Sequence, residues 1–248
     1  MSIDTGRRWF DELHYIGATI EFPEGSKWKL DKVVKLTELC WDRFSWENYE
    51  LYPEVRALYY CEKVSGPGPS DAVIKIHMQV PRKGTATEDA SVRAQQACPS
   101  GFASDGRNEA RALEILQTNN CSSAPKLLDC KFTTQSDDEG VPGGYKDYIL
   151  MECLPGISPE STFENNMDGA ERRALRAAFK AAWLDCIACG VCHEDPGQRN
   201  LLWDKQNNKC YLVDWELYHP AGEEDVWKDS EYQDWDMESL SGSLPESG

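Results

Sequence analysis

The sequence predicts an α+β protein in two lobes, a mainly antiparallel sheet with one helix followed by a reduced helical part. Three observations predict it. The runs Ala57–Val64 and Ala72–Met78 are strand-like and flank the turn-forming SGPGPS at Ser65–Ser70, which reads as a hairpin. Arg107–Gln117 has helical periodicity. Asp168–Cys189 is the longest helical pattern in the chain. The expected divisions are residues 1–154, 155–220 and an acidic, mostly disordered tail at 221–248.

Residues 1–30 are mixed in character. Lys32–Leu39 is strand-like. Pro81–Ser104 is polar and rich in small residues, so it reads as a loop. In the helix Arg107–Gln117, Leu113 and Leu116 mark the apolar face with Ala112 beside them. Glu109 lies four and seven residues before those leucines, on the same face, whereas Glu114 points to solvent. An acid on an inward face needs a partner. Lys126–Cys130 is a short strand candidate, Thr133–Gly144 a polar hairpin loop, and Tyr148–Leu154 a strand closed by Pro155-Gly156. Asp168 followed by Glu171 resembles a capping box. Leu175, Ala178, Phe179, Ala182, Cys186 and Cys189 form the predicted buried stripe, and Gly190 the stop. Asn200–Trp203 and Tyr211–Val213 are short strands around a turn at Asn207-Asn208. After Pro220 the chain is acidic and Ser/Gly/Glu-rich, with Trp227 and Trp235 available to dock part of it.

The 248 residues carry a net charge of −17. That charge repels phosphate backbones and anionic bilayers, so neither nucleic acid nor membrane is an expected partner. No run approaches the ~18–20 apolar residues of a membrane span, and the first residues lack an apolar signal core. Ten cysteines in a chain of this length are too dilute for a disulfide scaffold. Reduced thiols and an intracellular site, cytoplasmic or nuclear, are expected.

The stretch CIACGVCH at 186–193 admits several chemistries. Cys189-Gly-Val-Cys192-His193 matches the short pattern for covalent haem attachment. Cys186, Cys189 and Cys192, with His193 or a remote cysteine, are spaced like zinc ligands. Buried reduced thiols are the favoured reading, because Cys186 and Cys189 already fall on the apolar stripe.

The same His193 opens His193-Glu-Asp195-Pro-Gly-Gln-Arg-Asn200, followed after two short strands by Leu212-Val213-Asp214-Trp215-Glu216. Upstream, Ala72-Val-Ile-Lys75 ends in a strand lysine, and Glu109 lies between. In this order the residues resemble the protein-kinase-like superfamily, most of all its aminoglycoside phosphotransferase and choline kinase branch and the small kinase-like proteins of fungi. The motifs cover roughly residues 55–217. The resemblance implies a two-lobed kinase-like fold with a reduced C-terminal lobe, and phosphoryl transfer from ATP with Mg²⁺ near Met151–Gly156. Asp195 would accept the proton of an attacking hydroxyl. Asn200 and Asp214 would supply oxygen ligands to Mg²⁺ and so hold the nucleotide. Lys75 would hold the α- and β-phosphates and Glu109 would fix Lys75. His193 would brace the loop, and Arg199 would contact phosphate or pair with an acid. The acceptor, a hydroxyl compound, is open; the acidic second half suggests a cationic one or a basic partner. Cys40–Val55, where such folds carry a phosphate-covering glycine loop, contains no glycine. The alternative is therefore a catalytically inactive kinase-like protein, a pseudokinase, binding a protein partner.

Overall fold

In the computed structural model, residues 9–10, 12–39, 51–163 and 166–238 are described. In chain order the elements are α1 (Glu12–Tyr15), β1 (Thr19–Glu21), β2 (Lys27–Leu39), β3 (Glu54–Ser65), β4 (Asp71–Gln79), α2 (Ala90–Ala94), α3 (Asp105–Thr118), β5 (Leu127–Thr134), β6 (Tyr145–Glu152), α4 (Gly169–Ala188), β7 (Val191–His193), a 3-10 turn (Gln198–Asn200), β8 (Leu201–Asp204), β9 (Lys209–Leu212), β10 (Tyr218–Pro220) and α5 (Glu231–Asp234). The protein is mixed α+β, with a curled antiparallel sheet and few helices. Two compact units divide it: residues 1–111 with 126–153, and residues 112–125 with 154–248.

The first unit is built on a six-stranded antiparallel sheet in the order β1-β2-β3-β4-β6-β5. The predicted hairpin is β3–β4, with Glu62 opposite Asp71. Strand β2 begins at Lys27 rather than Lys32, and three register irregularities along it bend it against β3. Strand β4 is buried along almost its whole length. One of its faces carries Ala72, Ile74, Ile76 and Met78, which join Phe10, Trp28, Leu30, Ala57, Tyr59 and Leu150 in the apolar core. The opposite face carries Lys75, His77 and Gln79, also buried. Period-two alternation thus separates two kinds of interior rather than interior from solvent.

In the second unit, α4 is the central element. Asp168 caps it by accepting from the backbone N–H groups of Ala170 and Glu171 at 2.8 Å each. The Glu171 side chain turns instead to Trp203 and Lys205. Leu175, Phe179, Ala182, Trp183 and Cys186 are its buried residues. The helix stops at Gly190, whose φ is 89°. Strands β8 and β9 form a hairpin whose turn uses Asn208 at φ 52°. Strands β7 and β10 form a separate antiparallel pair.

Several expectations shift. The stretch Pro81–Ser104 contains α2, which buries none of its residues. Strand β5 continues to Thr134, and β6 runs Tyr145–Glu152, ending before Leu154. Asn200 lies in the 3-10 turn and Val213 beyond β9. The segment after Pro220 differs most from its reading as a disordered tail. As far as residue 238 it holds α5, and Trp235 and Met237 are buried. Trp227, Tyr232 and Trp235 surround the Phe179 ring, with centroids 5.8, 6.2 and 5.0 Å away. The aromatic side chains outweigh the acidic composition there. Residues 239–248 lie outside the described residues. No helix among the described residues is long and apolar enough to cross a membrane.

Candidate functional site

The predicted residues fall into two sets, one in each unit. In the first unit, Lys75 on β4 and Glu109 on α3 come together. Lys75 Nζ lies 2.9 Å from Glu109 Oε2, and both side chains are buried. Sequence reasoning missed the rest of this cluster. His77, two residues along the same strand face, lies 3.6 Å from Glu109 through Nε2 and 3.1 Å from Glu54 through Nδ1. Glu54 also accepts from Tyr145 Oη at 2.7 Å and pairs with Arg56, which in turn pairs with Asp105. Asp147, opposite His77 in the β4–β6 register, accepts from Ser104 Oγ at 2.5 Å and lies 3.6 Å from Arg107 Nε.

Burial opposes the charge on His77, but Glu54 and Glu109 outweigh it and raise its pKa to about 10. Burial likewise opposes charge on Glu54, and His77 and Arg56 together lower it to about 2. His77 is therefore a buried imidazolium between two carboxylates. Burial raises Asp105 and Asp147 above the usual carboxylate range. Gly106 on α3 lets the helix approach this ring. A Cβ there would sit 2.8 Å from His77 Cδ2 and 2.9 Å from Cγ. The missed signal was positional: His77 follows Lys75 at i+2 on one strand face, opposite Arg56 on the next strand, with Glu54 two residues before Arg56 and opposite Gln79.

In the second unit, one loop gathers Asp195, Arg199 and Asn200. Asn200 Nδ2 donates to the Asp195 carbonyl at 2.8 Å and to its carboxylate Oδ2 at 2.9 Å. Arg199 pairs with Asp195 Oδ1, one of the two partnerships expected of it. The β8–β9 hairpin then brings the far end of the motif alongside. Leu201 is opposite Leu212, and Val213 N–H donates to the Asn200 carbonyl at 2.9 Å. Asp214 follows, with its backbone at φ 67°, a left-handed value uncommon outside glycine.

His193 ties this loop together. The Asp195 N–H donates to His193 Nδ1 at 3.1 Å, so Nδ1 is unprotonated. Nε2 then carries the hydrogen and donates to the Val213 carbonyl at 3.1 Å. Burial lowers the pKa of this ring, which favours that neutral form. Trp215 and Trp235 pack against it in tilted and edge-on contacts, with centroids 4.8 and 5.3 Å away.

Asn200 is fully buried, and its amide oxygen has no hydrogen-bond partner. A buried acceptor left without a donor is costly unless a cation or water meets it. An amide oxygen of this kind is a ligand type that a hard cation such as Mg²⁺ accepts. Beside the loop, Glu160, Gln198, Arg199 and Asp236 line a concavity.

The glycine-free interval Cys40–Val55 lies outside the described residues over positions 40–50. The cysteines do not converge as their spacing suggested. Cys186 lies 3.7 Å from Cys121, sulfur to sulfur; Cys189 groups with Cys121 and Asp185; Cys192 groups instead with His219 and Asp225. No protein-family model matches the chain.

Proposed function

We propose that the chain is an ATP- and Mg²⁺-dependent phosphotransferase of the protein-kinase-like superfamily, nearest the aminoglycoside phosphotransferase and choline kinase branch. The observation that carries this reading is the loop of the second unit. There a carboxylate, an amide with an unpartnered buried oxygen, and a left-handed aspartate follow one another across a single hairpin. In the mechanism, Asp195 accepts the proton of the acceptor hydroxyl as its oxygen bonds to the terminal phosphorus and ADP departs. Asn200 and Asp214 would hold Mg²⁺, which when bound would neutralise phosphate charge. Lys75, paired with Glu109, would bind phosphate. The neutral His193 keeps the Asp195 backbone and the Val213–Asp214 backbone at a constant separation. The acidic second half of the chain favours a cationic hydroxyl compound as acceptor.

A second reading is favoured by one observation. Arg199 occupies Asp195 Oδ1, the base on which the chemistry depends. A noncatalytic kinase-like protein that binds a protein partner would tolerate that pairing.

Calorimetric titration of ATP with and without Mg²⁺, on the wild type and Asp214→Asn, tests the metal–nucleotide reading. Mg²⁺-dependent binding lost in the variant is the expected result. A folded wild-type protein that binds no ATP at millimolar concentration refutes the enzyme reading. With binding in hand, phosphate transfer abolished by Asp195→Asn distinguishes enzyme from binding module.

A further inference from the structure

The sequence singled out Cys192 as a metal-ligand candidate, and the phosphotransfer reading leaves it unused. Its surroundings are different from those its spacing suggested. In the β7–β10 pair Cys192 is directly opposite His219, so the two side chains leave the ladder on one face. The chain then turns back through Gly222, whose N–H donates to Asp225 Oδ2 at 2.8 Å. That turn brings the Asp225 carboxylate to 3.2 Å from His219 Nε2 through either oxygen. The Cys192 sulfur, the His219 nitrogen and an Asp225 oxygen all lie within 4.8 Å of one another.

Two features point to a ligand. The first is the donor set, one thiol, one imidazole and one carboxylate, which is zinc chemistry. Zinc–ligand bonds of about 2.0–2.3 Å in tetrahedral geometry place neighbouring donors roughly 3.3–3.8 Å apart, close to the separation of His219 from Asp225. The second is Glu194. Its carboxylate lies 3.0 Å from His219 Nδ1, the ring nitrogen facing away from Asp225 and Cys192. A carboxylate on the far nitrogen is the usual way a metal-bound histidine is oriented.

We propose that Cys192, His219 and Asp225 form a Zn²⁺ site with one open coordination position, the His219 ring being oriented by Glu194. Without metal, a proton does the same work. Burial opposes the imidazolium, but Asp225 and Glu194 raise the His219 pKa. Burial and Asp225 keep the Cys192 thiol unionised. Zinc displaces both protons and ties β7, the turn at 221–225 and β10 together. Strand β7 leads directly to Asp195, so the metal would fix the base of that loop. The other cysteine group is a poorer candidate: Asp185 already accepts from Ser122 N–H at 2.9 Å, Ser122 Oγ at 3.0 Å and Ser123 Oγ at 2.7 Å, and no histidine joins it.

The test is titration of chelator-treated full-length protein with Co²⁺, read by absorption, followed by competition with Zn²⁺. One equivalent of Co²⁺ showing thiolate charge transfer and tetrahedral visible bands, displaced by Zn²⁺, is expected. The charge-transfer band disappears in Cys192→Ser and persists in Cys189→Ser. Glu194→Gln keeps the band but weakens affinity about 10–100-fold. If Cys192→Ser fails to fold, Asp225→Asn and Glu194→Gln carry the test by affinity alone. Absence of Co²⁺ binding to folded wild type, loss of the band in Cys189→Ser, or affinity unchanged in both Asp225→Asn and Glu194→Gln overturns the proposal. The outcome does not depend on ATP binding.

Discussion

At the scale of single residues, the buried cluster around His77 makes two predictions. Glu109 faces two cations, Lys75 at 2.9 Å and His77 at 3.6 Å. Removing Glu109 takes away the carboxylate that Lys75 and His77 share and leaves their like charges without it between them. Removing Lys75 leaves an ion pair. Glu109→Gln should therefore cost about 3–5 kcal/mol, as when a buried pair loses one member, and Lys75→Met clearly less, measured by denaturant midpoint. The second prediction concerns pH. His77 is raised from 6.5 to about 10, so its contribution is complete below 6.5 and is lost as pH rises through about 10. Glu54 is lowered from 4.5 to about 2, so its contribution is complete above 4.5 and is lost as pH falls toward about 2. Stability should peak between these limits, and His77→Gln should flatten the alkaline side. The pairing of Lys75 with Glu109 was legible because an acid on an apolar helix face asks for a cation. Glu54, His77 and Asp147 were not, because a charged residue on a strand reads as solvent-facing unless a second layer is known to cover it.

At the scale of elements, close approach decides what is tolerated. In Gly106→Ala the new methyl group meets the His77 ring, which Glu54 and Glu109 hold in place and which has no exposed surface to retreat into. A loss of about 1–3 kcal/mol is expected, as for other overpacked interiors, with the midpoint of denaturation as the readout. Gly156 is more constrained. Its φ is 108°, and a Cβ would lie 2.7 Å from the Trp203 carbonyl carbon and oxygen. Gly156→Ala should break the bridge between Ile157 and Trp203 and speed amide exchange at both. Helix α4 was readable to within a residue because it carries its own signals, an N-cap aspartate, an apolar stripe and a terminal glycine. Helix α2 has an aspartate, Asp89, at its N-cap position, but it carries no apolar stripe or terminal glycine and buries nothing, so its polar sequence is indistinguishable from a loop. The start of β2 was hidden because Trp28 and Leu30 alternate with charged residues over too few positions to stand out.

At the scale of the whole molecule, the net charge of −17 and the buried aromatic residues of the C-terminal segment each have a measurable effect. On the proposed reading, the nucleotide approaches a protein of like sign, so its association rate should rise with added salt, as stopped-flow fluorescence can follow. Trp235 fills the space against Phe179 and His193. Trp235→Ala should cost about 3–5 kcal/mol, seen in thermal unfolding, although composition alone assigns that segment to a solvated tail. The order of the strands also bears on how the chain reaches its native state. Hairpins β3–β4 and β5–β6 each close locally, but β4 must find β6 across the intervening α3. Part of that intervening stretch, residues 112–125, belongs with the other unit. On the ribosome, the first unit therefore stays incomplete until β6 has emerged, with the β4 edge unpaired until then. Loop closure of that length is entropically slow to find. The docking of β6 onto β4 becomes the natural commitment step, and nascent chains ending before Tyr145 should be the ones that chaperones hold.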